Sequence, residues 1–238
     1  MSNTVLYKAN TRGHANHGWL DSYHTFSFAG YNDPGRMHFG ALRVFNDDKV
    51  TGGMGFGEHS HNNMEIVSIP LKGALEHKDN TGRHKIIKTG DVQIMSAGTG
   101  IAHSEYNASK TDEVNFLQIW IMPKARNIPP RYDQKSFDLN DLQNNIVTVV
   151  EPAQNTSAVW INQDAWFSLG NFSAGFKTTY TVKKTGNGIF LFMLEGDFVI
   201  DEERLSRRDS FGVWDTEAVT LEASTDASVL VIDVPMLF

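Results

Sequence analysis

The chain has 238 residues, of which 40% are hydrophobic and 21% charged, a composition typical of a globular protein with one large or two modest domains. Its formal net charge is −7 and it has no cluster of Lys and Arg, which argues against direct binding to nucleic acid or to an anionic membrane. It contains no cysteine, which excludes disulfides, thiolate metal ligands and cysteine nucleophiles.

The first residues lack the apolar segment of a signal peptide, and no stretch approaches the ~18 apolar residues of a membrane span. We therefore expect a cytoplasmic protein.

The rest of the sequence predicts β-strands, because short apolar or alternating runs recur between turn residues. In the first part of the chain these runs lie at 38–45, 64–71, 84–88, 91–95 and 114–122.

A break in this rhythm occurs at 122–135, where three prolines and mixed charges predict a connection between domains. We expect one domain over residues 1–130 and a second over 131–238. Further strand runs follow at 146–151, 165–172, 177–182, 188–194, 197–200 and 227–234, and 138–145 suits one or two helical turns.

The two halves resemble each other in the order of their strand and turn signals. Residues 71–98 and 194–218 both run from an apolar strand through a Gly turn and a hairpin to an Asp-led strand. An internal duplication explains this similarity. The sequence therefore predicts an all-β protein built from two small β-barrels.

Two pairs of polar side chains are the candidate functional residues. His59 and His61 are separated by one residue, as are His103 and Glu105, so each pair projects from one face of a strand. If the strands are neighbours, the four side chains converge on one point. Three imidazoles and a carboxylate suit one divalent transition metal, namely Fe(II), Mn(II), Ni(II), Co(II), Cu(II) or Zn(II).

The second half of the chain has a different chemical character. All nine histidines lie at or before His103. If the two halves share a fold, only the first can hold a metal through histidine.

The histidine segments resemble known motifs. Gly53-x5-His59-Ser60-His61-x3-Glu65 resembles the first cupin motif, and Gly90-x5-Ser96-Ala97-Gly98 followed by His103 is similar to the second. Residues 12–48 and 95–107 resemble the pirin family, and in particular its bacterial members associated with quercetin 2,3-dioxygenase activity. The resemblance implies a bicupin, with two jelly-roll barrels in one monomeric chain.

The fourth ligand differs between the two resemblances. Cupins in general use the glutamate of the first motif, which is Glu65 here, whereas pirins end in His-x-Glu, which implies Glu105. Strand parity allows both carboxylates to point inward. We predict that Glu105 is the ligand and that Glu65 lies nearby and orients a histidine, with both as candidate catalytic carboxylates.

The resemblance implies a dioxygenase with Fe(II) as the first choice of metal. In that chemistry a flavonol binds the metal through its deprotonated 3-hydroxyl, and dioxygen opens the ring with loss of carbon monoxide. Two alternatives remain: a metal-binding regulatory protein with a protein partner, and a structural cupin with an incidental metal.

If the protein is an enzyme, the candidates to line its substrate cavity are Met54, Phe56, Met95 and Trp120, although each also suits core packing. We expect His77 at the surface or behind the metal ligands.

Overall fold

The computed structural model describes residues 2–238, which form an almost entirely β fold. The strands up to the proline-rich break and just beyond it are β1 (Asn3–Tyr7), β2 (Gly13–Asn16), β3 (Leu20–His24), β4 (Leu42–Val50), β5 (Gly55–His61), β6 (Glu65–Lys72), β7 (Ala74–Asp79), β8 (His84–Lys88), β9 (Asp91–Ser96), β10 (Ile101–Asn107), β11 (Val114–Ile121) and β12 (Arg131–Ser136). Those that follow are β13 (Val147–Glu151), β14 (Val159–Trp160), β15 (Trp166–Phe172), β16 (Lys177–Thr181), β17 (Asn187–Glu195), β18 (Phe198–Ile200), β19 (Glu203–Leu205), β20 (Ser210–Trp214), β21 (Ala218–Ala223) and β22 (Ala227–Pro235). Two short 3-10 helices occupy Ala9–Thr11 and Leu139–Leu142.

The strands form four sheets, two in each half of the molecule. In the first half a seven-stranded sheet, ordered β12-β9-β6-β11-β4-β3-β2, packs on a four-stranded sheet, ordered β5-β10-β7-β8. The second half repeats the plan with β1-β20-β17-β22-β15-β13-β14 and β16-β21-β18-β19. The prediction of an all-β protein with two barrels is confirmed. Within residues 2–238 no helix is long and apolar enough to cross a lipid bilayer.

Two strands join the sheet of the opposite half. β1, at the start of the chain, pairs antiparallel with β20, and β12, which follows the proline-rich segment, pairs antiparallel with β9. The segment predicted to connect the domains therefore ends in a strand of the first barrel. Each half contributes an outer strand to its neighbour's large sheet.

The largest apolar core lies between the two seven-stranded sheets. The first half contributes Phe45, Val67 and Leu117, and the second contributes Phe167 and Phe190. Because successive side chains of a strand alternate between its faces, each large sheet has one face toward this core and the other toward its own barrel. The two barrels are therefore held together by an extensive apolar contact.

The interiors of the two barrels differ in polarity. The second barrel contains one continuous apolar cluster, which includes Ile189, Leu191 and Phe211. The first barrel contains two smaller clusters, one around Phe116 and one around Ile66. Buried polar side chains stand beside these clusters, among them Ser68, His77, His103, Glu105 and Gln118. Buried polar groups are expensive unless they have partners, so their concentration marks the first barrel as the candidate site.

Candidate metal centre

The two pairs of polar side chains lie on neighbouring strands of the small sheet. β5 and β10 are antiparallel, with His59 opposite His103, and the register shifts between His103 and Glu105 so that Glu105 lies opposite Phe56. The shift allows Phe56 and His59 to face the interior of the barrel although they are three residues apart. The predicted proximity of the strands is confirmed by this pairing.

Three imidazoles form a compact group. The ring centroids of His59 and His103 are 4.5 Å apart, those of His59 and His61 4.8 Å, and those of His61 and His103 5.0 Å. Each ring offers one nitrogen that lies within 4.8 Å of the corresponding nitrogens of the other two. His103 is buried, whereas His59 and His61 are half-buried. The group therefore sits at the edge of the barrel interior, with one side toward solvent.

The hydrogen-bond contacts of His59 and His103 differ between their two ring nitrogens. His59 Nδ1 lies 2.8 Å from the Gly57 carbonyl oxygen, and because a carbonyl only accepts, Nδ1 carries the proton and Nε2 has the lone pair. His103 Nε2 is buried without a hydrogen-bond partner among residues 2–238. Burial, together with His59, lowers the pKa of His61 to about 4. Burial and the neighbouring imidazoles lower the pKa of His103 to about 2.

Glu105 is held by two hydrogen-bonding side chains inside the barrel. Gln118 Nε2 donates to Oε2 over 2.7 Å, and Ser68 Oγ lies 3.2 Å from Oε1. Burial raises the pKa of Glu105, and the nearby His77 and His59 partly oppose this rise. A second compact group of possible ligand atoms combines Glu105 with His77 and His103. Glu105 is thus in the histidine-lined part of the barrel, as predicted.

Glu65 does not lie in this group. Its Oε2 accepts hydrogen bonds from Ser96 Oγ over 2.7 Å and from the Asn162 backbone N–H over 3.2 Å. Asn162 belongs to the second half, so Glu65 points to the junction between the barrels. The reason is parity, because Ser68, which is three residues along β6, faces the barrel interior and contacts Glu105. The expected position of Glu65 beside the histidines is therefore corrected.

Of the two positions expected for His77, the structure shows the one behind the ligands. Its side chain and that of Asp79 have no solvent exposure. Its Nε2 lies 3.1 Å from Asp79 Oδ2, and its Nδ1 lies 3.5 Å from His103 Nδ1. Burial would raise the pKa of Asp79, but hydrogen bonds from Thr81 and His77 outweigh it and lower this pKa. The signal was present in the sequence, because His77-Lys78-Asp79 repeats the one-residue spacing of the two other pairs.

A cavity of about 470 Å³ has Phe28, Tyr31 and Phe56 in its wall, and neither the three clustered histidines nor Glu105 lines it. Phe28 packs edge-to-face on Trp120 at 5.4 Å, and Trp120 packs edge-to-face on His61 at 4.9 Å. The cavity and the histidines are therefore linked through two aromatic rings. Two other candidates for the cavity wall lie elsewhere: Met95 is in a small core cluster and Met54 is exposed.

The donor set fits a divalent transition metal. Neutral imidazoles and a carboxylate are the ligands that such ions take in the absence of thiolates. The buried and unpartnered Nε2 of His103 is the strongest single indication, because an unpartnered polar atom in a barrel interior requires an explanation. The half-buried side of the group leaves room for further ligands, as a catalytic site requires.

Two family profiles match the chain. The one described as Pirin covers residues 6–121, and the one described as Quercetinase C-terminal cupin domain covers residues 148–234. The bicupin predicted from the sequence agrees with both.

Individual relatives match over nearly their whole length. The chain is 42% identical to a protein named quercetin 2,3-dioxygenase from Escherichia coli K12, over 97% of this chain and 98% of the relative. It is 39% identical to a pirin-like protein of Caulobacter vibrioides, over 93% and 95% of the two chains. The crystal structure of the bacterial pirin YhhW from Escherichia coli in complex with nickel(II) superposes with a TM-score of 0.92 at 41% identity, over 98% of this chain and 99% of the other.

Proposed function

The chain belongs to the pirin family, and on that premise we propose that it is a metal-dependent dioxygenase of the quercetinase type, acting on a flavonol or a related aromatic enol. The observation that carries the proposal is the convergence of three imidazoles, one of them with a buried and unpartnered Nε2, beside Glu105. The relative named quercetin 2,3-dioxygenase supports the choice of reaction.

We propose that His59, His61, His103 and Glu105 hold one divalent transition metal. When bound, the metal supplies Lewis acidity that lowers the pKa of a substrate hydroxyl group in contact with it. The depressed pKa values of His61 and His103 keep both rings neutral at pH 7 and thus available as ligands. The backbone carbonyl of Gly57 fixes the ring of His59 with Nε2 free.

Glu105 is proposed to receive the proton that the substrate hydroxyl loses. Burial raises its pKa above the ordinary value for a glutamate, which makes its carboxylate a stronger base. Gln118 and Ser68 hold its two oxygens, so the group is oriented before substrate arrives. The proposed proton acceptor, Glu105, is therefore already positioned by the barrel.

The aromatic-lined cavity is proposed to hold the flat ring system of the substrate. Phe28 lines it and contacts Trp120, which in turn contacts His61. Flat apolar ligands bind between aromatic walls with few polar contacts.

The identity of the metal is a separate proposal. Fe(II) is the first choice from the family resemblance, and nickel is the metal in the crystal structure of the Escherichia coli pirin. We also propose a monomeric and cytoplasmic protein from the sequence. Elemental mass spectrometry of the purified protein and light scattering in solution test the metal and the oligomeric state.

Turnover of quercetin is the decisive test. Protein loaded separately with Fe(II), Ni(II), Co(II), Mn(II), Cu(II) and Zn(II) is mixed with quercetin in aerated buffer, and carbon monoxide release is measured with the loss of flavonol absorbance. We expect at least one metal form to release carbon monoxide faster than the same concentration of free metal. His61→Ala is expected to lose this activity, whereas His84→Ala, an exposed histidine of the same sheet, should keep it.

A protein that binds one metal but turns over no flavonol would contradict the proposal. That result would favour the regulatory alternative, in which the metal alters a surface for a protein partner. A protein that binds no added metal would contradict the metal site itself.

A further inference from the structure

A chain of buried polar side chains runs behind the histidine group. Asp79, His77 and His103 follow one another, with 3.1 Å between Asp79 Oδ2 and His77 Nε2 and 3.5 Å between His77 Nδ1 and His103 Nδ1. The side chains of Asp79 and His77 have no solvent exposure, so water does not compete for these contacts. His77 also packs against Tyr132 at 4.9 Å between ring centroids, which limits the movement of its ring.

The carboxylate of Asp79 fixes the direction of the hydrogen bonds that link it to His77 and His103. Asp79 Oδ1 accepts hydrogen bonds from the Thr81 backbone N–H, the Thr81 hydroxyl and the Arg83 backbone N–H, which leaves Oδ2 for His77. An ionised carboxylate only accepts, so His77 Nε2 must carry a proton. If the ring of His77 is neutral, it has only this proton, and its Nδ1 is then an acceptor.

The tautomer of His77 determines that of the His103 ring. If His77 Nδ1 accepts, the 3.5 Å contact is satisfied only when His103 Nδ1 donates. His103 Nε2 then carries the lone pair. This atom is buried and has no hydrogen-bond partner in residues 2–238, as expected for a nitrogen whose lone pair is kept for a metal.

We propose that His77 and Asp79 are positioning residues that set the tautomer of His103, so that its Nε2 lone pair faces His59 and His61. The inference rests on the proposed metal site and deepens it. It also distinguishes the two compact groups of possible ligands, because His77 belongs to one of them together with His103 and Glu105. In this proposal His77 orients a ligand and is not one itself.

Asp79→Asn provides a direct test, because it reverses the direction of the hydrogen bond between residue 79 and His77. The three donors at Oδ1 would hold the amide oxygen in place, and the amide nitrogen would then face His77 Nε2. An amide N–H₂ group donates, so His77 would have to accept at Nε2 and donate from Nδ1. His103 would then accept at Nδ1 and carry its proton on Nε2, where it blocks metal binding.

The readouts are the histidine tautomers and the metal affinity of the full-length protein. Two-bond nitrogen–proton NMR spectra of the metal-free protein identify the protonated nitrogen of His103. Competition with a chelator gives the affinity for Zn(II). For the wild type we expect a proton on Nδ1 of His103, and for Asp79→Asn a proton on Nε2 and an affinity about 10–100-fold lower.

Glu76→Gln is the matched control. Glu76 lies on the same strand, and its carboxylate contacts His84 at 2.6 Å on the outer face of the sheet. This variant should leave the tautomer of His103 and the Zn(II) affinity unchanged. If Asp79→Asn does not fold, His77→Phe replaces it, and we expect a mixture of His103 tautomers and the same range of affinity loss.

Two results would overturn the inference. One is a folded variant, Asp79→Asn or His77→Phe, with the wild-type tautomer of His103 and a Zn(II) affinity within twofold of wild type. The other is a Zn(II)-loaded wild type whose NMR spectrum places the metal on His77. The proposed function fails separately, through absence of flavonol turnover in a wild type that binds metal with His103 correctly protonated.

Discussion

Glu105 and Glu65 are both buried, and burial raises the pKa of each. Their neighbours differ, because Glu105 lies among imidazoles in the first barrel whereas Glu65 faces Asn162 at the junction between the barrels. The two carboxylates therefore lie in different environments, one in the candidate metal site and the other between the barrels. Each environment leads to a measurable prediction.

Glu105→Gln is expected to weaken metal binding by at least about tenfold, because an amide oxygen carries no charge to offset that of a divalent ion. The new amide oxygen can accept from Gln118 Nε2, and the new amide nitrogen can donate to Ser68 Oγ, whose own proton is then donated to Gln118 Oε1. The variant should therefore fold. Isothermal titration calorimetry with Zn(II) measures the affinity, and Glu76→Gln on the outer face serves as the control. An unchanged affinity in Glu105→Gln would show that three imidazoles suffice.

Glu65→Gln is expected to change the pH dependence of stability. Burial raises the pKa of Glu65 to about 7, against 4.5 for an ordinary glutamate. Between these values the folded protein binds more protons than the unfolded chain, so the contribution of Glu65 to the free energy of unfolding falls as pH rises.

The glutamine keeps both hydrogen bonds, since one oxygen of Glu65 accepts them, and it removes the buried charge. At pH 8 we expect Glu65→Gln to be more stable than wild type by about 3 kcal/mol. At pH 5 the difference should be less than about 1 kcal/mol. Urea denaturation at the two pH values measures the difference, and a variant that loses stability equally at both would contradict the assignment.

At the scale of strands, the register of β5 against β10 determines which side chains meet. The shift between His103 and Glu105 lies opposite Gly57 and Glu58, and Gly55, just beyond it, pairs with Tyr106 of β10. A Cβ atom at Gly55 would lie 2.4 Å from the Glu105 carbonyl oxygen and 2.4 Å from Tyr106 Cα. Both are backbone atoms, so the strands themselves would have to separate.

Gly55→Ala is therefore expected to cost about 1–3 kcal/mol of stability and to weaken metal binding, because Glu105 would move with its strand. Gly57→Ala is a matched control on the same strand, since no heavy atom lies within 4 Å of a Cβ at that position. Thermal unfolding and Zn(II) titration of both variants test the prediction. Equal effects of the two substitutions would show that the close crossing is unimportant.

Strand positions were predictable from the sequence where the hydrophobic pattern or a pair of polar residues was distinctive. The apolar or alternating runs at 84–88 and 91–95 correspond to β8 and β9, and the two His-x-acceptor pairs placed β5 and β10 in contact. The orientation of Glu65 was not predictable, because most of β6 is buried on both faces and its hydrophobic pattern therefore does not mark the barrel side. β12 was concealed by the prolines and charges of 122–135, since its pairing depends on β9, which lies far away in the sequence.

At the scale of the whole molecule, the apolar core between the two large sheets joins the barrels into one structure. Phe190, from the second half, contacts the rings of Tyr7, Phe26, Phe39 and Phe45 from the first. The crossed strands β1 and β12 add backbone hydrogen bonds across the same boundary. We expect the two halves to unfold together.

Phe190→Ala is predicted to lower the free energy of unfolding by about 3–5 kcal/mol, as for other large-to-small changes in a core. The transition should remain single, with fluorescence and circular dichroism signals that coincide. Phe238→Ala, an exposed phenylalanine at the end of the chain, should change stability by less than about 0.5 kcal/mol. Two separated transitions in Phe190→Ala would mean that each barrel is stable alone.

The crossing of β1 also determines the order of events during synthesis. The backbone N–H of Ala9, just beyond β1, bonds to the carboxylate of Asp209, 200 residues later along the chain. β1 therefore leaves the ribosome long before its partner β20. The strands of the first barrel can pair once β12 has emerged, but β1 must wait, unpaired, until β20 is made. A nascent chain of this topology carries an unpaired strand from the synthesis of β1 until that of β20, which makes β1 the segment on which a chaperone would act.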